Sequence, residues 1–150
     1  MNFTPNEFVK YRLEPGDILL NEGQSPEFVG RPAMYRGEVP DCCYQKTLLR
    51  FRAYPGLVPG FALIVFRSYM HNGRFTRSAS ITTNIAHLTA EKFLEIEFPL
   101  PPLAEQHLIV AEVERRLSVV DELERVVKAN LQRAKNLRQS ILHRAFSGNL

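Results

Sequence analysis

The sequence predicts an α+β protein. A small mixed α/β domain spans residues 1–100, and one long C-terminal helix over residues 101–150 forms an antiparallel coiled coil with a partner helix. Short apolar runs broken by Pro and Gly predict the first part, since their periods switch between strand-like and helix-like. A 44-residue stretch without Gly or Pro, Leu103 to Phe146, predicts the second. A hydrophobic fraction of 45% supplies a core and argues against wholesale disorder.

The elements follow in order. Glu14-Pro15-Gly16-Asp17 is a turn that opens a short apolar strand, Ile18–Leu20. Asn21–Gly30 reads as a loop, because Gly23, Pro26 and Gly30 interrupt any pattern, and Arg31–Arg36 reads as a strand closed by Gly37 and Pro40. Cys43–Tyr54 is the strongest strand of the first half, stopped by Pro55-Gly56. Alternation there sets Lys46, Arg50 and Arg52 on one face and Leu49 and Phe51 on the other.

Pro59 suits the first position of a helix, and Phe61–Met70 is apolar nearly all round, which predicts a buried helix ending at Asn72-Gly73. The polar run Arg74 to Ser80 is expected to be loop, and Thr82-Thr83-Asn84 continues it. Thr89 can cap a short helix. Leu94, Ile96, Phe98 and Leu100 alternate with Glu95, Glu97 and Pro99, the pattern of a half-buried closing strand.

Pro101-Pro102 pre-sets the start of the last helix, and Ser147-Gly148-Asn149 its stop. A heptad fits it. Val113, Val120, Val127, Ala134 and Ile141 fall at d, Val110, Leu117 and Leu131 at a, and Leu123 and Leu137 at the adjoining g. Glu124 and Arg138 also fall at a, a pattern that can fix register. Leu103–Glu124 carries six acids against two bases, whereas Arg125–Leu150 carries six bases and no acid. Two such helices side by side in parallel would oppose like charges, so the gradient selects an antiparallel mate.

Net charge is only +3, but its distribution is uneven. From Cys42 to Ala90, 49 residues hold six Lys and Arg (Lys46, Arg50, Arg52, Arg67, Arg74, Arg77) and no carboxylate. Such a stretch attracts polyanions by counterion release. A solvated basic surface, with Lys and Arg stems covering apolar area, would give the same composition. Arg74, Arg77 and Ser78, interleaved with Phe75, and Asn84 beyond them suit phosphate and base-edge contacts. No stretch resembles a secretory leader, and the longest apolar run, Phe61–Phe66, is far short of a membrane span, so a soluble cytoplasmic chain is expected. Cys42 and Cys43 form no redox or zinc pattern, and His71, His87, His107 and His143 are scattered; no metal, cofactor or catalytic residue is expected.

The segment Phe98-Pro99-Leu100-Pro101-Pro102-Leu103-Ala104-Glu105-Gln106-His107-Leu108-Ile109-Val110 resembles the entry to a spacer helix in type I restriction-modification specificity subunits. Arg138 to Gly148 resembles that family's helix end, and Leu13-Glu14-Pro15-Gly16-Asp17-Ile18-Leu19 and Gly30-Arg31-Pro32-Ala33 look like signposts of its target-recognition domain. The resemblance covers nearly the whole chain. It implies a non-catalytic subunit that reads one half of a bipartite site in double-stranded DNA, docks methyltransferase (M) subunits, and meets restriction (R) subunits through the complex. Family members carry two recognition domains and two helices, against one of each here. That implies a half-size chain that forms a homodimer or pairs with another specificity half, or a truncated fragment that no longer functions.

On that reading Lys46, Arg50, Arg52, Arg74, Arg77, Ser78 and Asn84 are the DNA-binding residues. Val110, Val113, Leu117, Val120, Leu123, Val127, Leu131, Ala134, Leu137 and Ile141 form the dimer seam. The alternative is a DNA-binding or interaction protein outside restriction, with a coiled-coil dimeriser. No helix-turn-helix pattern supports that, and no basic region runs straight into the heptads as in a leucine zipper.

Overall fold

A computed structural model describes residues 4–147, and it carries the mixed architecture the sequence predicts: two small antiparallel sheets, short helices and one long C-terminal helix. By contact the chain divides between Val110 and Ala111.

The first element, α1 (Pro5–Tyr11), is a helix the sequence reading missed. Thr4 caps it: its hydroxyl accepts from the Glu7 N–H, and the Glu7 carboxylate accepts from the Thr4 N–H, a reciprocal box that satisfies donors at the helix start. Strand β1 (Ile18–Asn21) is the centre of a three-stranded sheet, flanked by β3 (Pro32–Met34) and β4 (Leu48–Phe51). Ile18 lies opposite Met34 and Phe51, and Leu20 opposite Pro32 and Leu49. This register points Ile18 and Leu20 into the core.

The strand expected over Cys43–Tyr54 is therefore shorter than its composition suggested. Only Leu48–Phe51 has a four-residue strand to pair with, while before it the Leu13 N–H donates to the Cys42 carbonyl and the Tyr44 N–H to the Tyr11 carbonyl. Within the expected loop Asn21–Gly30, β2 (Gly23–Gln24) pairs with β6 (Ile85–His87), and β6 pairs with β5 (Ser80–Thr82) to make a second sheet.

Helix α2 (Pro59–His71) starts at the expected proline and buries Phe61, Ala62, Leu63, Val65, Phe66 and Tyr69. Gly73, at φ 74°, turns the chain directly into α3 (Arg74–Ser78), so the run expected to be loop is helical. Phe75 explains why: it is fully buried and anchors α3 against the core. Phe66 stands at the centre of an aromatic cluster, with the rings of Phe51, Phe93 and Phe98 at 5.0, 5.3 and 5.6 Å in edge-on arrangements.

Thr89 caps α4 (Ala90–Leu94) as expected, accepting from the Lys92 N–H. The expected closing strand over Leu94–Leu100 does not form. Leu94 ends α4, and Ile96 and Phe98 pack onto the core without a partner strand, so their alternation recorded burial rather than pairing. The Tyr69 hydroxyl donates to the Glu97 carbonyl at 2.8 Å and holds this segment down.

Helix α5 (Leu103–Phe146) matches its expected limits. Of the expected stop, Gly148 and Asn149 lie outside the described residues. Gln106 is fully buried: its carbonyl accepts from the Val58 N–H at 2.8 Å, and its amide donates to the carbonyls of Gly56 (3.1 Å) and Pro101 (2.9 Å). Ile109 and Val110 pack onto the core beside it.

Candidate nucleic-acid interface

Five of the six cations of the acid-free stretch fall into two groups, and the sixth, Arg67, stands exposed on α2. The first gathers where β4 and the segment before it lie beside α1. Arg50 donates to the carbonyls of Lys10 (3.2 Å) and Arg12 (3.1 Å), and its guanidinium lies 5.2 Å from the Tyr44 ring. Lys46 pairs with Glu7 at 3.2 Å and lies 5.4 Å from the Tyr11 ring. Tyr11 and Tyr44 meet edge to face at 5.3 Å, so this surface interleaves Lys10, Arg12, Lys46 and Arg50 with two tyrosines. The Glu7 carboxyl is held below its ordinary value, first by the Thr4 N–H and then by Lys46.

Arg52 sits apart in role. It donates twice to Asp17 at 2.7 Å and pairs with Glu14 at 2.8 Å. Asp17 is 1% exposed and also accepts from the Glu14 N–H at 2.8 Å. Burial alone would push its carboxyl up, but the Arg52 hydrogen bonds and the Glu14 N–H outweigh burial and hold it down. Arg52 and Asp17 therefore tie β4 to the turn before β1, and Gly16 of that turn, at φ 98°, makes the tight bend.

The second group lies at α3. Arg74 pairs with Glu97 at 3.3 Å and stacks 4.8 Å from the Tyr69 ring. Arg77 is exposed and donates to the Asn72 carbonyl at 2.9 Å. Ser78 closes α3 half-buried, while Asn84 is exposed in the two-residue turn between β5 and β6. The structure thus keeps Lys46, Arg50 and Arg52 near one another, and places Arg74, Arg77 and Ser78 on a different element.

Sequence reasoning missed Lys10, Arg12, Tyr11 and Tyr44. The signal was present, because Thr4-Pro5-Asn6-Glu7 is a capping-box pattern that announces α1. Among the described residues, no group of His, Cys, Asp or Glu could hold a metal ion, and no helix is long and apolar enough to cross a membrane. An apolar crevice of about 240 Å³ opens between Phe51, Phe66, Phe93 and Phe98, with Tyr54 and Tyr69 also in its walls.

On α5 beyond Val110 the apolar stripe is exposed: Leu117, Val120, Leu123, Val127, Leu131, Leu137 and Ile141 all lie open. Three of its acids are engaged along the same helix. Glu112 pairs with Arg115 and Arg116, Glu122 with Arg125, and Glu124 with Lys128. Glu112 is held down to about 2 by its two arginines.

A family model described as the type I restriction modification DNA specificity domain matches residues 6–133. The chain is 29% identical over 147 residues to the specificity subunit of the type I restriction enzyme EcoKI of Escherichia coli K12, covering 97% of this chain and 32% of that subunit. It is 34% identical over 149 residues to the StySPI specificity subunit of Salmonella potsdam, covering 94% of this chain and 31% of the other. Over 52 residues it is 48% identical to the EcoBI specificity subunit of Escherichia coli, covering 35% of this chain and 11% of that subunit. The chain thus spans about a third of the length of the first two relatives.

Proposed function

Because this chain belongs to the type I restriction modification DNA specificity family, we propose that it reads one half of a bipartite duplex DNA site and carries no catalysis of its own. Methyltransferase subunits dock on it, restriction subunits join through the complex, and no cofactor is required. The observation that carries this reading is the family match itself, which runs through both the α/β unit and most of α5. The cation–tyrosine surface beside α1 supports it. Arg50 engages carbonyl oxygens rather than a carboxylate, so its charge stays available to a phosphate. Lys46, Arg74, Arg77, Ser78 and Asn84 complete the proposed contact set, while Arg52 joins it through whatever face Asp17 and Glu14 leave open.

The partner of α5 is a second copy of this chain, running antiparallel. Its exposed stripe needs cover, and pairing acidic halves with basic halves matches charge to charge. The DNA site is then two inverted half-sites around an unread spacer. Disulfide trapping tests the pairing: with Val113→Cys and Ile141→Cys in separate chains, the mixed pair should cross-link, their positions being symmetric about Val127. Ready linkage of Val113→Cys to itself, or a monomer at micromolar concentration in sedimentation, would remove the homodimer in favour of pairing with a longer specificity chain.

The DNA reading is tested by salt. Lys46→Gln with Arg50→Gln should weaken duplex binding and flatten the dependence of log affinity on log salt by about one unit per lost phosphate contact. An unchanged slope would leave these two side chains as packing groups only.

A further inference from the structure

We propose that the β5–β6 hairpin is the element that reads base edges, entering the major groove with Thr82, Asn84 and Ile85. This rests on the DNA-reading function proposed above and names the part of the surface that discriminates sequence. The ladder pairs Ser80 with His87, Ile81 with Ala86 and Thr82 with Ile85. Cross-strand partners share a face, so Ser80, Thr82, Ile85 and His87 lie on one side, and Ile81 with the fully buried Ala86 on the other. The first face mixes hydroxyls, an imidazole and one large apolar side chain, the inventory that hydrogen-bonds base edges and packs on a thymine methyl.

Further observations select DNA as the occupant. The hairpin lies wholly inside the stretch without carboxylates, and Lys92 reaches its foot to donate to the Ser80 hydroxyl. Among the described residues, the one acid lining the groove beside His87 is Glu22, directly before β2 and facing the foot of the hairpin rather than its tip. β2 reaches only His87 and Ala86, and β5 is the outer strand of the sheet, so the tip from Thr82 to Ile85 is a two-stranded ribbon, which fits a major groove about 12 Å wide. On the reading face Ile85 is 49% exposed, which a short edge ribbon without an occupant would not favour. At the tip, Thr83 is held at φ 57°, a left-handed conformation unusual for a β-branched residue, and beside it Asn84 stands open at the end of the hairpin. An asparagine there suits paired hydrogen bonds to adenine.

The test enriches a pool of random-sequence duplexes on the full chain, then on Thr82→Val, Asn84→Ala and Ile85→Ser. All three positions are exposed, and thermal melting checks that each variant folds. The parent should enrich a motif, and each variant should lose about fivefold or more of its discrimination at one or two positions of it, with the salt slope unchanged. A parent motif that survives intact in all three variants overturns the inference, even if they lose assembly with methyltransferase subunits, which would make the hairpin a protein-docking edge. A parent that enriches no motif overturns the proposed DNA reading itself.

Discussion

Both units of this chain carry patterned apolar residues, and they differ in whether those residues are covered. Up to Val110, Ile18, Leu20, Val29, Phe66 and Phe75 are closed off by one another at 2% exposure or less. From Ala111 onward, Leu123 and Val127 stand 59% and 64% open, on a helix whose own ion pairs are all local. Periodicity reports that a face is apolar; it does not report whether the cover comes from the same chain. The first unit has its cover built in. The second leaves its stripe open, so on the proposed pairing stability and assembly are separable properties.

The largest break in that comparison comes from Gly30. Its φ is 69°, and a Cβ there would sit 2.3 Å from the Phe75 ring. Gly30→Ala combines left-handed strain with overpacking, a sum of about 3 kcal/mol or more. Gly56→Ala is the control, with φ 100° but open space around it, and should cost only the backbone part, about 1 kcal/mol. Urea unfolding followed by near-ultraviolet circular dichroism reports the first unit; self-association through α5 should persist in both variants. Equal losses for the two glycines would mean that Phe75 moves aside freely.

The same glycine shows how much of the fold was legible. Gly30 was visible as a loop breaker, but its reason is tertiary: it faces Phe75, 45 positions later, a residue the sequence placed in a loop. Helix α5 was legible to the residue, because its limits are set by local signals, the prolines before it and the unbroken run within it. The strand expected over Leu94–Leu100 failed because alternation marks burial, and Ile96 and Phe98 are covered without any ladder. The site was legible in composition and less so in pairing. A stretch without acids in sequence meets Glu7, Glu14, Asp17 and Glu97 in space, and only the fold brings those to Lys46, Arg52 and Arg74.

At the border of the two units, Gln106 sharpens the contrast. Gln106→Leu keeps the volume and leaves the Val58 N–H and the Gly56 and Pro101 carbonyls without their partner. Unsatisfied buried groups cost about 1–3 kcal/mol, so the first unit should lose roughly 2 kcal/mol by urea unfolding. Gln106→Glu should do no better, since a carboxylate cannot donate to two carbonyls. A loss below about 0.5 kcal/mol for Gln106→Leu would show water replacing the amide.

The smallest effect is expected at Asp17, and it depends on pH. Folding holds this carboxyl below its ordinary value of 3.8, so the folded state binds its proton less readily than the unfolded state does. The sign follows by linkage: the stabilisation is fully present above 3.8 and is lost as pH falls through the lower folded value. Asp17→Asn removes the charge while keeping the size. At neutral pH it should lower stability by about 1.5 kcal/mol, the scale of charge-assisted hydrogen bonds to Arg52 and the Glu14 N–H. Below pH 3.8 the difference between parent and variant should shrink, because protonated Asp17 resembles the amide in charge. Helix α5 beyond Val110 gains nothing from Asp17, so the oligomeric state at neutral pH should be the same in both. A parent–variant difference that stays constant from pH 7 to pH 3 would show that the Asp17–Arg52 pair holds β4 by shape rather than by charge.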